Sequence, residues 1–260
     1  MQASKLNYYL KLFGFSPKKF LFSIKGTLPY LKNLRKIKKQ LKDDAQFGIA
    51  ELYPCLDDRY EPAGTLAMHY FYQDIYVANK IFNANPQKHV DIGSRIDGFV
   101  AHVASFREIE VFDIRPLDKK INNVIFRKAD LMAEDFLIKD YCDSVSSLHA
   151  IEHFGLGRYG DEIISNGYLT GLANITRLLK PGGTFYFSVP IGRQRIEFDA
   201  HRVFSVKYLM GMLEKDYRIS SFAFIDDNEN LNTDVDINSA GIDDNFGCSF
   251  GCGIFELKKR

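Results

Sequence analysis

A chain of 260 residues has room for one sizeable domain and an appendage. With 46% hydrophobic and 26% charged residues its composition is globular, which excludes a largely disordered chain. The net charge of +1 hides a split: residues 1–42 hold eleven Lys or Arg and no Asp or Glu, leaving 23 basic against 33 acidic residues in the remainder.

That basic segment suggests contact with something anionic. In LKNLRKIKKQLK, Leu31, Leu34, Ile37 and Leu41 recur near helical spacing among lysines. Three occupations fit such a helix: docking on the main domain, an anionic membrane surface, or nucleic acid. The last ranks lowest, because aromatic and basic residues do not alternate as in a single-strand binder. Residues 1–60 are expected to form a basic helical extension and residues 61–260 the main domain. Apolar runs fall short of the ~20 residues that cross a bilayer, and the first residues lack a signal-peptide pattern. Cys55, Cys142, Cys248 and Cys252 are too few and too scattered for a disulfide scaffold, and CSFGC matches neither a redox nor a zinc spacing. A reduced cytoplasmic setting, peripheral at an inner membrane if the basic helix engages one, is the expectation.

The main domain alternates strands and helices, the pattern of an α/β protein with a parallel sheet. HYFYQDIYVANKIF (69–82) predicts an amphipathic helix. Strands are predicted over 89–93, 109–114, 124–129, 142–148, 183–190, 219–225 and 252–259. A helix from Gly167 to Leu179 is expected to end at LKPGG, where Pro181 and two glycines turn the chain. The stretch 226–245 holds seven Asp or Glu and no Lys or Arg, which predicts a solvated loop. It lacks the ligand spacing of a calcium-binding EF-hand loop.

The chemistry concentrates where strands end. VDIGSRIDGFV predicts strand, glycine turn and helix, with Asp91 closing the strand, Gly93 admitting a ligand to the backbone and Gly98 in the helix. Twenty residues after Gly93, Asp113 ends the second strand, where a carboxylate can accept hydrogen bonds from both hydroxyls of a ribose. A dinucleotide site would need G-x-G-x-x-G, and GSRIDG places Arg95 where the second glycine belongs. Tyr76 and Lys80 have the Tyr-x-x-x-Lys spacing of short-chain dehydrogenases but precede the first strand, so a nicotinamide enzyme is the weaker reading. Asp130, past the third strand, either meets an adenine or caps a helix.

After the fourth strand, SSLHAIEHFGLGRYGD gathers His149, Glu152, His153, Arg158, Tyr159 and Asp161 among three glycines. His153 is the natural proton acceptor there, and Glu152 can orient it or replace it. An ion pair between Arg158 and Asp161 would instead only hold the loop's shape. A second loop carries His201, a reserve base, and Arg202, suited to an anionic or polyhydroxy substrate.

The succession D-x-G-S, an acid after strand two, an Asp after strand three, E-H after strand four and LKPGG before strand five resembles the class I S-adenosylmethionine-dependent methyltransferases. The likeness covers residues 65–260. It implies a Rossmann-like, seven-stranded, mostly parallel sheet flanked by helices, with GCGIFELKK as an antiparallel last strand. More narrowly, HAIEHFGLGRYGD, FDAHRVFS and GCGIFELKK resemble a bacterial domain family of unknown function found among surface-polysaccharide biosynthesis proteins. On this resemblance S-adenosylmethionine is the implied cofactor. Asp91, Gly93, Ser94 and Gly98 would shape its methionine side, Asp113 would hold the ribose, Ala129 and Asp130 would frame the adenine, and Leu148 and His149 would floor the pocket. His153, Glu152 and His201 are then the candidate bases for O-methylation of a sugar, glycan or nucleotide-sugar acceptor. Arg158, Tyr159, Asp161 and Arg202 would face that acceptor. A divalent metal on Glu152, His153 and Asp161 is an alternative way to acidify the hydroxyl, although no metal motif supports it. A catalytically inactive scaffold of the same fold is the other alternative.

Overall fold

The computed structural model describes residues 2–41, 48–60 and 68–260. The chain divides into two compact units, Met1–Leu66 and Ala67–Arg260. The boundary expected after residue 60 adjoins residues 61–67, which lie outside the described residues.

In the first unit, helix α1 (Gln2–Leu12) is followed by α2 (Pro17–Gln40). Ser16 caps α2 by accepting the Lys19 N–H, and Pro17 occupies the first turn, where its missing donor costs nothing. Pro29 lies inside α2 without ending it. Gly26 is buried because the returning chain crosses it: a Cβ there would lie 1.7 Å from the Leu56 carbonyl oxygen. The unit leaves many large apolar side chains in solvent, among them Leu12, Phe13, Phe20, Leu21, Ile24 and Tyr53.

The second unit opens with α3 (Met68–Ala84) and strand β1 (His89–Ile92), then a kinked turn into α4 (Ala101–Ala104). β2 (Ile109–Asp113), β3 (Val124–Lys128) and β4 (Cys142–Leu148) follow, then α5 (Gly167–Leu178) and the long β5 (Leu179–Ile191). A hairpin of β6 (Arg195–Glu197) and β7 (His201–Val203) leads to α6 (Val206–Leu213), β8 (Tyr217–Ile225), β9 (Leu231–Asn232) and β10 (Gly251–Lys259).

Among the described residues the main sheet has eight strands in the order β3-β2-β1-β4-β5-β10-β8-β9. β3, β2, β1, β4 and β5 pair in parallel, and β10 runs antiparallel between β5 and β8. The sequence predicts seven strands; the eighth, β9, comes from the acidic stretch expected to be only a solvated loop. Asp226 explains it. Its carboxylate accepts the N–H groups of Asn228 and Asn230, turning the chain tightly so that Leu231 and Asn232 pair with Ile225 and Phe224.

The strands alternate between two apolar clusters, one on each face. Val90, Phe185, Phe187, Phe255 and Leu257 join α5 and α6 on one face. Val111, Tyr186, Cys252 and Ile254 join α3 and α4 on the other. Sequence direction therefore dictates that the parallel strands end along one edge, where loops gather. Phe255 is fully buried against Phe222 and Phe187 at the centre of the sheet. Phe255→Ala is expected to cost about 3–5 kcal/mol in urea denaturation; a loss under 1 kcal/mol would contradict this packing.

Candidate functional site

The turn after β1 is built around a buried carboxylate. Asp91 is fully buried; it accepts the Ser94 N–H at 3.0 Å and the Ser94 hydroxyl at 2.7 Å, and it meets the Ser146 hydroxyl of β4 at 2.5 Å. His89 continues the chain of contacts to Ser144 and Ser146. This network closes the turn from behind while Gly93, at φ +71°, faces forward. A Cβ on Gly93 would lie 3.1 Å from that of Ala150, so any side chain would narrow the passage between the β1 and β4 ends. Gly98 is elsewhere: its backbone is non-helical, and a Cβ there would strike the Asp74 carboxylate of α3.

In front of the turn lies a cleft of about 330 Å³, within the size range of small-molecule sites. Ile92, Phe112, Leu131 and Met132 give it apolar walls. Of the residues singled out from the sequence, Gly93, Asp113, Ala129, Asp130, His149, His153, Arg158, Tyr159 and Asp161 line it. Asp113 is held by Arg115, whose guanidinium approaches its two oxygens at 3.0 and 2.6 Å and packs 4.5 Å over the Tyr159 ring. Asp130 accepts the Met132 N–H, so it acts as a local turn cap while facing the cleft.

His149 follows β4 at φ +50°, in the left-handed region that residues other than glycine seldom adopt. Its Nδ1 lies 2.7 Å from Glu152 Oε1 and, facing a carboxylate, donates. Both side chains are buried, and His149 Nε2 and Glu152 Oε2 have no hydrogen-bond partner among the described residues. Burial opposes charge on His149, yet the neighbouring Cys252 and Glu152 outweigh it and hold the imidazole well above its ordinary pKa. Burial pushes Glu152 up, and its hydrogen-bonded contact with His149 brings it below the ordinary carboxylate value. His69 of α3 stacks on His149 with ring centres 5.6 Å apart, and burial lowers its pKa to about 4.

His153 donates from Nδ1 to the Ala200 carbonyl at 2.6 Å. A carbonyl only accepts, so the ring's Nε2 carries the lone pair when the imidazole is neutral. Burial lowers the His153 pKa, which keeps it neutral at pH 7. Ala200 also accepts from Arg158, so one carbonyl of the second loop positions two cleft residues.

Several residues expected at the site lie elsewhere or are engaged otherwise. Arg202, expected to face substrate, is buried and donates to the carbonyls of Glu152, Phe154 and Ser165; the rigid loop consumes its donors. Asp161 lines the cleft, but its carboxylate accepts the N–H groups of Gly155, Gly157 and Tyr159, not Arg158. That arrangement also takes Asp161 out of a metal set with Glu152 and His153. His201 lies outside the cleft lining, with Nε2 3.2 Å from Glu197 in the β6–β7 hairpin. Asp91, Ser94, Leu148 and Glu152 support the cleft from behind and do not line it. Lys80 binds Glu256 and Ser221, so the Tyr-x-x-x-Lys spacing leads to the sheet and not to the cleft. Tyr70, Phe112 and Arg115 line the cleft without having been singled out. For Arg115 the signal was available, two residues beyond Asp113.

The fold is similar to that of solved methyltransferases. With 15% identity, a 1,6-didemethyltoxoflavin-N1-methyltransferase from Burkholderia thailandensis, crystallised with 1,6-didemethyltoxoflavin and S-adenosylhomocysteine, superimposes at a TM-score of 0.50, covering 89% of each chain. A candidate sarcosine dimethylglycine methyltransferase from Galdieria sulphuraria, 12% identical, also reaches 0.50, over 72% of this chain and 85% of its own. The chain belongs to the family described as "Caenorhabditis protein of unknown function, DUF268", matched over residues 107–247. That description states neither an activity nor a bacterial, polysaccharide-linked setting. No curated protein matches the chain.

Burial raises the Asp91 pKa to about 7. The folded protein thus keeps a proton that the unfolded chain releases near pH 4. The associated stability is complete below about pH 4 and is lost as pH rises to about 7, at up to about 1.4 kcal/mol per pH unit. Urea titrations from pH 4 to 8 are expected to show this decline in the wild type and a flatter profile in Asp91→Asn. Equal slopes would contradict the assignment.

Proposed function

We propose that this protein is an S-adenosylmethionine-dependent methyltransferase that methylates a hydroxyl of a sugar, glycan or nucleotide-sugar intermediate. The observation that carries the reading is the cleft at the carboxyl edge of the sheet, with a carboxylate on one wall and a bare glycine turn beside it. These residues fit the cofactor. Asp113 would accept from the ribose hydroxyls, competing with Arg115 for its oxygens. The apolar faces of Phe112, Leu131 and Met132 beside Asp130 suit an adenine. Gly93 leaves backbone exposed for the amino-acid end, with Asp91 and Ser94 bracing it. When bound, the cofactor supplies an electrophilic methyl group on a sulfonium.

The chain's own part is positioning and proton removal. His153, neutral and oriented through Ala200, presents Nε2 to take the acceptor hydroxyl's proton, a contribution of about 10²- to 10⁴-fold. Arg158 and Tyr159, with the guanidinium 5.3 Å over the ring, offer hydrogen-bond donors at the rim, chemistry suited to a polyhydroxy acceptor. The break in the dinucleotide glycine pattern at Arg95 and the engagement of Lys80 with Glu256 disfavour a nicotinamide enzyme.

Calorimetry with S-adenosylhomocysteine is expected to show one site per chain, with affinity at least tenfold weaker in Asp113→Ala. Absence of binding at millimolar ligand would contradict the proposal and leave an inactive scaffold of the same fold.

The first unit supports a setting at an anionic membrane surface. Its exposed Leu12, Phe20, Leu21 and Ile24 share helices with lysines, Phe13 is exposed between those helices, and residues 1–42 carry no acid. Among the described residues no helix is long and apolar enough to cross a membrane. At about 1 kcal/mol per surface lysine, replacing Lys36, Lys38 and Lys39 by Glu in the full chain is expected to weaken binding to phosphatidylserine vesicles at least a hundredfold. Equal vesicle retention would contradict the membrane setting.

A further inference from the structure

Behind His149 the fold brings together three residues that the sequence keeps far apart. His69 on α3, His149 just after β4 and Cys252 on β10 are all buried, and one ligand atom from each lies within 4.8 Å of the other two. We propose that these three side chains bind a zinc ion, or a divalent transition ion of the same imidazole- and thiolate-preferring class, at the back wall of the cleft. The inference is independent of which cofactor the cleft binds.

The hydrogen bonding of His149 supports it. His149 commits Nδ1 to Glu152, which fixes its tautomer and leaves Nε2 buried without a hydrogen-bond partner among the described residues. A carboxylate behind a ligating imidazole is the usual outer-shell arrangement of a zinc histidine. His69 stacks on the His149 ring with 13° between planes, so its imidazole must rotate before its lone pair meets the point that His149 Nε2 faces. Cys252 contributes sulfur from the strand; its thiol donates to the Gln73 side-chain oxygen at 3.6 Å, a bond that ligation by the sulfur would replace. Two nitrogens and a sulfur suit zinc's preferences, and a tetrahedral site spaces such atoms about 3.3–3.6 Å apart. Side-chain rotations closing the cluster by about 1 Å would therefore complete three corners. Binding displaces the Cys252 thiol proton and any proton on His149 Nε2. The fourth corner would belong to an exogenous ligand, as in zinc sites with three protein ligands. The ordinary alternative is a metal-free contact between the Cys252 sulfur and the His149 imidazole within the core. It would account for Cys252 beside His149 and leaves unexplained why His69 joins them.

The test uses the full-length protein purified without chelators. Elemental analysis is expected to find one zinc per chain. The apo protein titrated with Co²⁺ should develop tetrahedral visible bands and a thiolate-to-metal charge-transfer band. Cys252→Ser should abolish that charge-transfer band and weaken zinc at least a hundredfold in chelator competition, and His69→Ala should weaken it similarly. Glu152→Gln should weaken zinc about 10–100-fold. Circular dichroism and melting of each variant check the fold, and Cys55→Ser should change nothing. Substoichiometric zinc with no tight uptake by the apo protein would overturn the proposal. So would octahedral cobalt spectra, or binding that survives both Cys252→Ser and His69→Ala.

Discussion

The buried carboxylate of Asp91 is the constraint on which the site depends. A carboxylate in an apolar interior is costly unless its lone pairs are met. Here Ser94 and Ser146 meet them, one in the turn after β1 and the other on the neighbouring parallel strand. Satisfying that group therefore fixes the turn against the sheet and aims Gly93 outward. The parallel pairing of β2, β1 and β4 then places Asp113 and His149 at the same edge as that turn. Nothing in this arrangement requires a ligand to be present.

The loop after β4 is stiffened in the same way, by side chains that spend their polar atoms on backbone. Arg202 gathers three carbonyls, and Asp161 gathers three N–H groups. Gly155, at φ +75°, passes so close to Ile164 that a Cβ would lie 2.0 Å from its carbonyl oxygen. Held between these residues, His153 and Arg158 present their side chains to the cleft with little freedom left to lose. Such pre-organisation favours a site that must align two reactants. The strained His149 backbone is part of the same construction.

Much of this frame is legible in the sequence because it follows periodicity and spacing. The apolar runs of β1, β2, β4 and β5 and the glycine turn with its acid twenty residues on locate the cleft. What the sequence conceals is the partner of each polar atom. Arg202 reads as a substrate ligand until its carbonyls are seen, and Asp161 reads as an ion-pair partner until its amides are seen. His69 reads as one face of an amphipathic helix and Cys252 as an ordinary strand residue. Only the crossing of α3 over the sheet and the insertion of β10 between β5 and β8 bring them to His149. The two-residue β9 escapes for a different reason: its pairing depends on the Asp226 turn and not on apolar alternation.

The most direct measurement is a crystal structure of the protein with S-adenosylhomocysteine. The ribose hydroxyls are expected within hydrogen-bond distance of Asp113, the homocysteine end against Gly93, and the sulfur on the His149–His153 side of the cleft. A ligand lodged elsewhere, or a cleft that stays closed by an unbroken Asp113–Arg115 pair at saturating ligand, would contradict this placement.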